Sequence, residues 1–163
     1  MEYIIFGSPY TLSQFTYSKR WFLDGTFKNL PSGFYQLISI LVDSNVHSIE
    51  IPVVYILMSG KSQFLYHAAF MTLQMIWNSR NLEMKPEHIM TDAEASLNNA
   101  LQSIFPNSEF DICFFHAVKA IWRKASKLGL RTSTILNDTR IIIIIFKIIM
   151  HLPFVIEMLL LRT

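Results

Sequence analysis

The run Phe34 to Val42 (Phe-Tyr-Gln-Leu-Ile-Ser-Ile-Leu-Val) is apolar on both of its faces. A strand of that kind has no face to offer water, so it belongs in the interior of a sheet with a neighbour on each side. Candidate neighbours lie close by in the chain. Arg20 to Lys28 precedes it across the turn residues Pro31-Ser32-Gly33, and the β-branched run Ile49 to Met58 follows and closes on Ser59-Gly60. Short connections between three such runs predict an antiparallel meander.

Helical and extended segments then alternate. Ser62 to Asn78 is predicted as a helix with Ser62 as its N-cap and Phe64, Ala68, Met71 and Met75 as its apolar stripe. His88 to Asp92 follows as a short strand. Leu97, Leu101 and Ile104 then mark one face of a helix that Pro106 stops. Phe110 to Phe115 is another apolar strand. Val118, Ile121, Trp122, Ala125 and Leu128 mark a further helix, ended by Gly129. The order β-β-β-α-β-α-β-α predicts an α/β fold with a mixed sheet. A chain of 163 residues, 52% apolar and only 16% charged, fits one domain with a real core and excludes a disordered tail. No internal repeat or low-complexity linker interrupts it.

Ile141 to Leu161 is almost wholly apolar and long enough to span a bilayer. Lys147, His151, Pro153 and Glu157 interrupt it about once per turn, and a mid-membrane charge costs roughly 2.5–3.5 kcal/mol even on the mildest scale. Core helices broken at Pro153 are therefore favoured over a membrane span. The uncharged run Ile141–Ile145 is an aggregation hazard, and truncation near Leu130 is expected to improve solubility. Met1-Glu2-Tyr3 is not the start of a signal peptide.

Two carboxylates carry the chemistry. Asp24 is a lone acid in the strand-like run Trp21 to Lys28, and Asp92 ends the strand-like run Pro86 to Asp92. A charge in a buried strand is costly unless paired. If the first and fourth strands lie side by side and parallel, both acids reach the strand ends, where open α/β sheets bind ligands. A carboxylate pair in that position suits two magnesium ions, which activate a water and stabilise a leaving oxygen. The simpler alternative makes Asp92 an N-cap for a helix starting at Ala93, with Asp24 starting a turn.

Further residues extend the pattern. Asp24-Gly25-Thr26-Phe27-Lys28, Phe34-Tyr35-Gln36-Leu37 and Ile51-Pro52-Val53-Val54-Tyr55-Ile56-Leu57 come in order. Lys61, Thr91-Asp92-Ala93-Glu94, Asn99-Ala100, Phe105-Pro106 and Cys113-Phe114-Phe115-His116 continue them. Together, over Trp21 to Leu130, they resemble the core of Mutator-like element (MULE) transposases. The resemblance implies a ribonuclease-H-like fold, with residues 1–130 as the core and residues 131–163 as the start of an apolar helical insertion. It also implies DNA cleavage and joining by a DDE triad with Mg2+ or Mn2+, Asp24 as the first acid and Asp92 as the second. In the family the third acid, a glutamate, lies downstream of the C-x-x-H signature, here Cys113 and His116. No residue of this chain matches it, since Glu157 sits in what resembles an early part of the insertion. The expectation is a transposase fragment inactive on its own, nuclear if functional, with DNA as its partner and self-association open.

Zinc is not expected. C-x-x-H supplies two ligands where a structural site wants four, and Cys113 is the single cysteine, with His47, His67, His88 and His151 at no matching spacing. Lys119, Arg123 and Lys127 recur every four residues along one helical face. Such a stripe is commonly a solvated face, and in a transposase it suits phosphate contact. Glu94 could add to the metal site, but the helix dipole alone favours an acid in a first turn. Two other functions stay open: a DNA- or protein-binding module that no longer cuts, and a small membrane-anchored protein.

Overall fold

Six strands form one sheet in the order β1-β4-β3-β2-β5-β6. The computed structural model describes residues 2–43 and 49–127, and the chain divides into two units, Met1–Cys113 and Phe114–Thr163. In the first unit, β2 (Arg20–Thr26), β3 (Gln36–Asp43) and β4 (Glu50–Met58) make the expected antiparallel meander, with β3 in the middle. After α2 (Gln63–Asn78), β5 (His88–Thr91) pairs parallel with β2. After α3 (Ala95–Ile104), β6 (Glu109–Ile112) pairs parallel with β5. Three antiparallel strands extended by two parallel ones are the ribonuclease-H-like mixed sheet that the resemblance implied.

Two elements precede these and were not anticipated. β1 (Tyr3–Gly7) is an edge strand of five residues, paired antiparallel with β4 from Tyr3–Met58 to Gly7–Val54. Its status comes from a partner some fifty residues away, which no local periodicity reveals. α1 (Pro9–Tyr17) has a local signal instead. Ser8 and Thr11 form a capping box, and Pro9 occupies the first helical position.

The core lies on one face of the sheet. Trp21 and Leu23 of β2 join Ile38, Ile40 and Val42 of β3, Val54, Ile56 and Met58 of β4, and Ile89 of β5. Phe15 of α1 stacks on Trp21 with centroids 4.3 Å apart, and Phe105 meets the same indole edge-on at 5.2 Å. α2 and α3 pack together, and Leu97, Ala100 and Leu101 complete the layer.

Three expectations need correcting. α2 does begin at the Ser62 cap, whose side chain accepts the Leu65 N–H, but its buried residues are Leu65, Tyr66, Ala69, Phe70, Leu73 and Trp77. Phe64 and Met75 of the expected stripe are 72% and 66% exposed. The helix carries two apolar stripes at helical spacing, and the one holding Phe70 and Trp77 has more area to remove from water. The strand expected over Phe110–Phe115 ends at Ile112, because α4 (Phe114–Lys127) starts two residues later. Asp24 is exposed, on the strand face opposite Trp21 and Leu23, so no burial penalty acts on it.

Gly129, Glu157 and the segment Ile141–Leu161 lie outside the described residues. So do the expected insertion 131–163 and the truncation point at Leu130. Among the described residues no helix is long and apolar enough to cross a membrane.

Candidate functional site

The parallel pairing of β2 with β5 runs Arg20–His88, Trp21–Ile89 and Phe22–Met90. The ladder ends there, and Asp24 and Asp92 each follow two residues after its last pair. Neighbouring strands are ~4.8 Å apart, so the two carboxylates start from adjacent backbone positions at one end of the sheet. β5 and β6 continue the row. Their ladder ends at Thr91–Ile112, and the next residue, Cys113, donates its N–H to the Thr91 carbonyl at 2.7 Å. On the other side, Asp24 pairs with Ser39 of β3, and Ser39 with Tyr55 of β4. The row therefore places Ser39, Asp24, Asp92 and Cys113 across four neighbouring strands.

Asp92 is held by its surroundings. Its Oδ1 accepts the Glu94 N–H at 3.1 Å, and its carbonyl accepts from Asn98 Nδ2 at 3.2 Å. The hydroxyl of buried Thr91 reaches the same carbonyl at 2.7 Å and also contacts Asn98 Oδ1. Asp92 thus supports the start of α3, as the capping alternative held, although the helix begins at Ala95 with Glu94 as its N-cap residue. One Asp92 oxygen bonds within the turn, so the turn fixes where the carboxyl group sits.

Glu94 is not simply a first-turn acid. Its side chain makes no capping bond. Instead Tyr66 of α2 donates its hydroxyl to Glu94 Oε1 at 3.0 Å, and Gln36 of β3 donates from Nε2 to the Tyr66 oxygen at 2.6 Å and to the Gly60 carbonyl at 3.1 Å. Gln36 and Tyr66 are fully buried, so this polar chain runs through the apolar core and ends on a carboxylate two residues from Asp92. Burial pushes the Tyr66 hydroxyl far above its usual range, against the Gln36 hydrogen bond and reinforced by the Glu94 and Asp92 charges. Burial also raises Glu94. The Tyr66 hydrogen bond opposes that rise, the Asp92 charge adds to it, and the Lys61 ammonium opposes it. The sequence places Gln36 in the Phe34–Leu37 pattern and Tyr66 in the α2 segment, and gives neither a role at the site. The available signal was an amide in an otherwise apolar interior strand, which needs a partner when buried.

Among the described residues no three His, Cys, Asp or Glu side chains are grouped to hold a metal ion. Cys113 is half-buried at the end of the first unit. His116 lies in the first turn of α4, its ring edge-on to Phe115 at 6.1 Å. Within α4, Lys119, Arg123 and Lys127 are exposed. Lys119 Nζ sits 4.0 Å over the Phe115 ring, and Arg123 Nε donates to the Lys119 carbonyl at 3.4 Å. Lys124 and Lys127 occupy the last turn, where the helix dipole favours cations.

The MULE transposase domain family matches residues 20–120, well over half the chain. No curated protein matches the chain at a significant level. Among solved structures, the simian T-cell lymphotropic virus intasome in complex with PP2A regulatory subunit B56 gamma is similar at 13% identity and a TM-score of 0.39. That similarity covers 59% of this chain and 32% of the other, so the chain spans about a third of that relative's length. The HTLV-2 integrase catalytic core domain in complex with magnesium is similar in its trimeric form at 13% identity and a TM-score of 0.35, over 73% of this chain and 76% of that one. Its dimeric form gives the same identity and TM-score, with 77% of that chain covered. Likeness at this level carries no weight beside the family match.

Proposed function

This chain belongs to the MULE transposase domain family, and from that premise we propose that it carries the metal-binding half of a DNA strand-cleaving and strand-transferring site. The observation that supports this reading is the parallel pairing of β2 with β5, whose last pair, Phe22–Met90, lies two residues before each acid, inside the matched stretch. Asp24 is the first acid and Asp92 the second.

The donor set fits magnesium or manganese. Mg2+ prefers oxygen ligands, keeps several waters, and is commonly held by one or two carboxylates together with substrate phosphates. An exposed Asp24 and a turn-held Asp92 would supply two such ligands. When bound, the ion supplies an activated water and a counter-charge for the leaving oxygen. The chain's own residues fix the geometry: Asn98 and Thr91 hold the Asp92 backbone, and the Gln36–Tyr66 pair holds Glu94. The basic face of α4 (Lys119, Arg123, Lys127) is proposed to contact DNA phosphates, and Cys113 and His116 to order their segment near the strand end.

The test is Mn2+ binding to the full chain in the presence of a DNA oligonucleotide, read by water-proton relaxation. Asp24→Asn and Asp92→Asn are each expected to weaken it by about tenfold or more. Equal binding by the wild type and both variants would overturn the proposal.

A further inference from the structure

Phe27 and Tyr35 are large aromatic residues left 48% and 47% exposed beside a filled core. Their rings meet edge-to-face with centroids 5.8 Å apart and an interplanar angle of 75°. Lys61 Nζ lies 5.8 Å from the centroid of the Tyr35 ring, and Lys28, the residue after Phe27, is exposed as well. We infer that Phe27, Tyr35 and Lys61 form a seat for an unpaired DNA nucleotide at the sheet end that carries the carboxylates, with the Phe27 ring on the strand face opposite Asp24, the base stacking on the aromatic pair and its phosphate meeting the lysine. This rests on the proposed function and deepens it.

The placement follows from the strands. Phe27 lies three residues beyond Asp24 in the direction of β2, roughly 10 Å along the chain. Tyr35 is tied to the end of β4 by its N–H bond to the Met58 carbonyl at 2.8 Å. Lys61 follows β4 and Gly60, and its charge reaches Glu94. All three residues thus lie at the sheet end that carries Asp24 and Asp92. The aromatic pair is preorganised: a Cβ added at Gly25 would stand 3.5 Å from Phe27 Cζ, so the Phe27 ring folds back over that glycine. A fixed ring costs little further entropy when a base docks on it.

Exposed aromatics beside cations suit nucleic acid because every base has a π-face and every nucleotide a phosphate. The nucleotide must be unpaired, since a base inside a duplex has both faces covered by its neighbours. Lys61 adds a point charge that can swing from the Tyr35 ring to a phosphate.

The test uses the full chain in EDTA with a short single strand carrying 2-aminopurine, and a blunt duplex of the same sequence. The wild type is expected to quench the probe and to bind the single strand more tightly than the duplex. Phe27→Leu and Tyr35→Leu should each lose about tenfold in single-strand affinity together with the quenching, while Tyr35→Phe keeps both. Lys61→Gln, at an exposed position, should lower the slope of log K against log salt by about 0.7. Equal binding of duplex and single strand, or an unchanged Tyr35→Leu together with an unchanged Lys61→Gln slope, would overturn the seat. Asp24→Asn separates the two readings. Quenching that survives while Mn2+ binding was never present keeps the seat and removes the metal site; Mn2+ binding without quenching does the reverse.

Discussion

The Tyr66 hydroxyl donates to Glu94 Oε1 at 3.0 Å while accepting from Gln36 Nε2 at 2.6 Å. One phenol thus links the interior strand β3, through α2, to the start of α3. Removing it takes from the buried Gln36 amide one of its two oxygen acceptors and leaves it the Gly60 carbonyl. Tyr66→Phe is expected to cost about 1–3 kcal/mol in urea unfolding. Gln36→Leu combined with Tyr66→Phe should cost less than the sum of the two single changes, because the double variant leaves no orphaned donor. Additive costs would show that the two side chains act independently.

Glu94 gives the chain a pH dependence of a particular sign. Its folded-state pKa is raised, mainly by burial, so between the ordinary carboxylate value and the folded value the native state binds more protons than the unfolded one. Stability therefore falls as pH rises through that window. In metal-free buffer, Glu94→Gln should flatten this fall and leave the protein slightly more stable at neutral pH. Thermal melts from pH 4 to 8 check it; a wild-type and variant pair with parallel curves would contradict it.

The two acids should differ in their structural weight. Asp24 is exposed, so Asp24→Asn is expected to shift stability by no more than about 0.5 kcal/mol. Asp92 accepts the Glu94 N–H, so Asp92→Ala should cost about 1 kcal/mol, as loss of a capping side chain does. Asp92→Asn keeps an acceptor oxygen and should recover most of that. Equilibrium unfolding of the three variants separates folding from function at the site.

Trp21 is the packing centre, stacked on Phe15 and edge-on to Phe105. Trp21→Ala is expected to cost about 3–5 kcal/mol. Phe64→Ala, at a solvent-facing position of α2, should stay within about 0.5 kcal/mol. Comparable losses at the two positions would mean that α2 packs through the opposite face.

The meander, β5 and α3 were legible in the sequence, whereas the parallel β2–β5 contact was an arrangement that the order of elements allowed and the structure supplied. The legible elements rest on local patterns: two-sided apolarity in β3, turn residues between strands, a serine cap before α2 and a proline after α3. β1 was not legible, because five residues become a strand only by pairing with β4. The buried face of α2 was also hidden, since two apolar stripes compete and only the sheet and α3 decide between them.

The same division runs through the site. The amino-acid sequence by itself determined that Asp24 and Asp92 lie near strand ends, in an order of elements that can make those strands parallel neighbours. It also carried the DGTFK and TDAE patterns that mark the family. Only the tertiary structure decided that Asp24 is exposed, on the strand face opposite Trp21 and Leu23. Tertiary structure likewise decided that Glu94 answers to Tyr66 and Gln36. Periodicity ranks residues by the face they share, whereas a buried hydrogen-bond chain depends on where three elements distant in sequence meet.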